Sequence, residues 1–94
     1  MQTSDVATNA LPRISRGFRL QWEPVQSAHV LLYPEGMVKL NASAGEILKR
    51  CDGERTLAEI TADLEQAFGA TNLSADITAF VSYALEQRWL ELQA

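Results

Sequence analysis

His29 and Cys51 are the only histidine and the only cysteine in the chain, so nucleophilic or metal chemistry would have to start from them. A Cys–His nucleophile pair needs the two side chains to meet in space. Cys51 falls on an apolar stripe with Ala44, Ile47 and Leu48, and reads as a small buried hydrophobe. His29 opens an apolar run and reads as a surface or edge residue rather than a general base. A metal site of the usual His/Cys kind needs several ligands at suitable spacing, and the sequence does not supply them. The five glycines are scattered, each with a turn or cap to explain it, so no phosphate-binding glycine loop is formed. Glu54, Glu59, Asp63 and Glu65 could form an acidic patch. A solvated helix face is the plainer account. The inventory points away from an enzyme, with no cofactor expected.

Composition narrows the partners. With eight Lys and Arg against twelve Asp and Glu, the formal net charge is −4. Nucleic acid is therefore not expected, because phosphate binding needs clustered bases. A single cysteine allows no intrachain disulfide and fits a reducing compartment. The first residues lack a basic segment followed by an apolar stretch, so no signal peptide is expected. No apolar run approaches the roughly 18 residues that span a bilayer. These features predict a soluble cytoplasmic protein, and 94 residues fit one small domain with a limited core.

The elements follow from periodicity. Residues 1–16 are mostly polar or small and predict a flexible tail, leaving 17–94 as the folded domain. Phe18, Leu20 and Trp22 alternate with Arg19 and Gln21, which is strand spacing. His29–Tyr33 is a second strand, ended by the turn Pro34-Glu35-Gly36, and Met37–Leu40 is a short third. Val30, Leu32 and Val38 are the expected core positions. Leu31, Tyr33 and Met37 would then form a second apolar face that could dock a partner or pair two copies of the chain. The N-terminal segment or Trp89 could equally cover it. From Asn41 the period becomes helical. Asn41 or Ser43 caps the first helix and Asp52-Gly53 ends it. Thr56 to Glu59 is a capping box for a second helix that buries Leu57, Ile60, Leu64 and Phe68 before Gly69. A third helix starts at Ser74 and buries Ile77, Val81, Ala84 and Leu85. Trp89, Leu90 and Leu92 are a short apolar end, or an extra strand. The fold class is α+β, winged helix-turn-helix-like: a three-stranded antiparallel sheet followed by a three-helix bundle.

Several fragments, in order, carry a family likeness: Arg16-Gly17-Phe18-Arg19-Leu20, Leu32-Tyr33-Pro34-Glu35-Gly36 running on to Leu40-Asn41, Ala44 with Ile47-Leu48, Cys51-Asp52-Gly53, Thr56-Leu57-Ala58-Glu59-Ile60, and Asp76-Ile77 through Phe80 and Leu85 to Trp89-Leu90. Together, over roughly residues 16–92, the sequence resembles the PqqD family. Arg88-Trp89 departs from a family pattern that often has a small residue before the final apolar pair. The resemblance implies a peptide chaperone of pyrroloquinoline quinone biosynthesis. It implies binding of the precursor peptide PqqA and its presentation to PqqE, a radical S-adenosylmethionine enzyme that links a glutamate and a tyrosine of the peptide. The iron–sulfur clusters then belong to PqqE. It further implies the mode of recognition elements in modified-peptide pathways: the peptide adds a strand to the sheet edge and lies against the third helix.

The residues themselves allow that mode. A short strand at Met37, Val38, Lys39 and Leu40 would leave an unpaired edge, a template for another strand. On the third helix the apolar arc is wider than one buried face needs, with Phe80 at its border and Tyr83 further round. A groove of Leu73, Phe80, Tyr83 and Gln87 would face Val38, Lys39 and Leu40. The plainer account places Phe80 in the core and Tyr83 on its rim. A winged-helix DNA-binding regulator shares the fold, but its recognition helix should carry bases, whereas this one has Asp76, Glu86 and only Arg88 near its end. A recognition element from a different modified-peptide pathway fits the residues as well.

Overall fold

The computed structural model describes residues 6–93. Three strands, β2 (Arg19–Glu23), β3 (Ala28–Tyr33) and β4 (Gly36–Lys39), form an antiparallel sheet in the order β2-β3-β4. Helices α1 (Ala42–Lys49), α2 (Leu57–Phe68) and α3 (Ser74–Glu86) follow, giving the expected α+β class. A second, two-stranded sheet pairs β1 (Pro12–Ile14) with β5 (Leu90–Leu92), and so joins the two ends of the chain.

The helix starts are local chemistry. Asn41 Oδ1 accepts from the Ala44 amide at 2.7 Å. Thr56 and Glu59 exchange both bonds of a capping box, at 3.1 and 2.8 Å. Gly69 ends α2 in the left-handed region, which costs least for glycine. Arg88 takes the same conformation after α3, at φ 65°, and the Trp89 amide returns to the Ala84 carbonyl. The α1 terminus differs from expectation. The helix stops at Lys49 and Gly53 is not its cap. The Gly53 amide donates to the Pro12 carbonyl, and a Cβ there would stand 3.2 Å from Cβ of Arg13. That glycine lets β1 approach.

The expected tail needs correction as well. Its first five residues lie outside the described residues, but the rest is built into the domain. Pro12 is fully buried, and Val6 and Ile14 pack on the core. The Ala10 and Thr8 carbonyls accept from Leu57 and Ala58, two of the first amides of α2, which lack partners within the helix. The partner of β1 lies at the far end of the chain, so no local pattern announces it.

Leu31 is fully buried in the core with Leu40, Leu48, Ile60 and Val81. This reverses the phase expected of β3, with Leu31 outside and Leu32 inside. The hairpin register sets the phase: Leu31 stands between Leu20 and Val38, and Leu32 between Arg19 and Met37. Leu32 is only half-buried. Val30 is buried too, outside the main cluster, and a run apolar on both faces offers no alternation to read. His29 is half-buried rather than an open edge residue. It lies edge-on to Trp22 at 5.0 Å and against α1, where a Cβ on Gly45 would come within 2.7 Å of its Nδ1. Gly45 therefore sets how closely α1 packs on the sheet.

Candidate functional site

The order of the sheet leaves β4 at a margin. Which of its backbone groups are free follows from one bond. The Leu40 amide donates to the His29 carbonyl at 3.0 Å, and partners in an antiparallel ladder alternate. Leu40 and Val38 thus turn their amides and carbonyls toward β3. Met37 and Lys39 turn theirs to the open edge. Side chains alternate in the same rhythm. Val38 and Leu40 point to the core side, and Met37 and Lys39 to the outer face. Leu40 is a core residue, 5% exposed, whereas Met37 is 56% exposed.

Where β4 runs into α1, a groove of about 270 Å³ opens, its floor formed by Ala44, Ile47, Leu64 and Ile77 and its walls by Asn41, Ser43, Phe68, Leu73, Asp76 and Phe80. Of the eight residues expected to bind, Leu73 and Phe80 line this groove. Met37, Val38, Lys39 and Leu40 do not line it; they lie in and just after β4, and the chain reaches the groove wall at Asn41. Tyr83, further along α3, and Gln87, its C-cap, do not line it. Trp89 folds back against α3, with Tyr83 edge-on to its ring at 5.5 Å and Phe80 at 6.5 Å. Phe68 also lines the groove, which its sequence spacing does not announce. It was expected in the core, but it sits at the last position of α2 and is 55% exposed. Its spacing from Leu64 matched the buried stripe, yet the stripe outruns the helices that cover it.

The remaining chemistry is structural. Cys51 is buried, its thiol pushed up to about 12 by desolvation and by neighbouring Asp52. It is therefore a poor nucleophile. The suggested acidic patch is largely committed elsewhere. Glu59 closes the capping box, Glu65 accepts from the Leu73 amide at 3.0 Å, and Asp63 pairs with Arg50 and Arg55. The Arg50 guanidinium, hydrogen-bonded to both, holds Asp63 and Glu46 below the usual carboxylate range. Among the described residues, no group of three or more His, Cys, Asp or Glu side chains could hold a metal ion. No helix there is long and apolar enough to cross a membrane.

An open strand edge beside an apolar groove suits an extended peptide. The family Coenzyme PQQ synthesis protein D (PqqD) matches residues 28–90. A PqqA binding protein of Stutzerimonas stutzeri is 48% identical over 91 residues, covering 96% of this chain and 99% of its own. One from Pseudomonas aeruginosa is 55% identical over 86 residues, covering 90% and 94%. These names describe binding rather than catalysis. In solution, the PqqD truncation of Methylobacterium extorquens PqqCD, a functional stand-alone recognition element for ribosomally synthesised and modified peptides, has the same fold. Its TM-score is 0.79 at 33% identity, covering 97% of this chain and 99% of that one. The chain belongs to the PqqD family, coenzyme PQQ synthesis protein D.

Proposed function

We propose that this chain is a non-catalytic peptide chaperone that binds the precursor peptide PqqA as a strand added to β4 and presents it to the radical S-adenosylmethionine enzyme PqqE in the cytoplasm. The observation that carries this is the free edge at Met37 and Lys39, which leads through Leu40 to Asn41 in the wall of an apolar groove.

Magnitudes fit a carrier. Covering ~300 Å² of apolar surface contributes ~7 kcal/mol at ~25 cal/mol per Å². Two edge residues offer four backbone groups, and each bond made adds ~1 kcal/mol net. Association and ordering remove several kcal/mol. The remainder lies near the roughly −8 kcal/mol of micromolar binding, which still permits release.

An NMR titration of the labelled chain with synthetic PqqA tests this. The expected shifts gather on residues 37–40, Phe68, Leu73 and Phe80. Shifts confined to β2, or no binding, would overturn it. Incubating the chain and peptide without PqqE should leave the peptide's mass unchanged; a covalent product would overturn the non-catalytic reading.

A further inference from the structure

The outer face of the sheet is organised in rows. Arg19, Leu32 and Met37 stand side by side in one, and Gln21, Val30 and Lys39 in the next. A strand added to β4 lengthens each row by one residue. Side chains directly opposite across a ladder share a face, with Cβ atoms about 5 Å apart. One peptide residue therefore lies against Met37 and another, two positions away, against Lys39. The peptide residue between them points, like Val38, to the core side.

Lys39 is the only charge in its row, which otherwise holds Gln21 and the fully buried Val30. Among the described residues its ammonium has no carboxylate partner. On the same face, Glu23 is engaged by Gln21 Nε2 at 2.6 Å. Lys39 also turns its own amide and carbonyl to the open edge, so its side chain and backbone meet the same stretch of peptide.

We propose that Lys39 is a specificity-determining residue that selects a peptide carboxylate: the residue of the added strand opposite Lys39 is Asp or Glu, and the residue opposite Met37 is apolar. This rests on the strand-addition reading. The bound segment reads acid–x–apolar if it runs antiparallel to β4, and apolar–x–acid if parallel. The same charge opposes edge-to-edge pairing of two copies of this chain, a common role of edge lysines.

The test is calorimetry with synthetic PqqA against the wild-type chain, Lys39→Gln and Lys39→Glu. It includes peptides in which each acidic residue is changed in turn to its amide. Lys39 is exposed, so the variants should keep the wild-type melting temperature, which is measured alongside. Lys39→Gln should weaken binding about threefold and Lys39→Glu about tenfold. One amide peptide should lose about the same threefold factor against the wild type and nothing further against Lys39→Gln. Wild-type affinity for Lys39→Glu, with shifts still centred on residues 37–40, overturns the pairing and leaves strand addition standing. So does equal binding of every amide peptide to the wild type. Peptide that binds without moving residues 37–40 overturns both.

Discussion

The molecule has two short strands at its margins, and it treats them in opposite ways. β1 is closed by β5: Pro12 and Leu90 are fully buried, the Ser15 amide donates to Trp89, and the Gln93 amide donates to Leu11. Among the described residues, β4 leaves the backbone of Met37 and Lys39 unpaired, and both side chains are exposed. The difference lies less in backbone hydrogen bonding than in burial. The closed pair anchors apolar side chains in the core, which makes separation costly. The open strand commits only its inward residues, Val38 and Leu40, to the core. Its outward residues can change partners without disturbing it.

The largest expected effect breaks the closed side. Leu90→Ala removes a side chain only 2% exposed and should cost about 3 kcal/mol of stability, measured by urea unfolding. Where the variant is still folded, its affinity for PqqA should match the wild type. A loss of affinity as large as the loss of stability would show that the two margins are coupled rather than independent.

The open side is sharpened by proline, which removes an amide donor. The Met37 amide points outward, so Met37→Pro should leave the β3–β4 ladder intact and weaken peptide binding at least tenfold, or about 1.4 kcal/mol. The Val38 amide is turned to β3, so Val38→Pro should instead lower the melting temperature by several degrees. If the two prolines behave alike, the alternation assigned to β4 is wrong.

Local signals in the sequence located what local signals can specify. The capping box at Thr56 and Glu59, the cap at Asn41, the turn at Pro34–Gly36 and the Ile77–Val81–Ala84 stripe each rest on residues within one or two turns of each other, and all are present. What stayed hidden depends on distant partners. β1 pairs with β5 almost eighty positions away, and Gly53 serves that contact rather than a helix end. The phase of β3 is settled by its neighbours on both sides. At the site, the edge and Phe80 could be anticipated from period and pattern. Tyr83 could not be separated from the groove, because Trp89 turns back through a left-handed Arg88 to lie beside it.

Phe68 gives the smallest expected change and the finest division between core and site. It follows Leu64 by one helical turn on the same stripe, yet Leu64 is 1% exposed and Phe68 is 55% exposed. Both line the groove, so position along α2 alone separates a residue the fold needs from one a peptide could cover. Leu64→Ala should cost about 3 kcal/mol of stability. Phe68→Ala should change stability by less than about 0.5 kcal/mol, because an exposed side chain loses little on truncation. Its effect should appear in affinity, as roughly a threefold to fivefold loss for PqqA, the part of an aromatic face that binding would remove from water. Urea unfolding and calorimetry on the same two variants read both quantities. Unchanged affinity in Phe68→Ala would confine the peptide to the β4 side of the groove, because the wall built by α2 would then lie outside the contact.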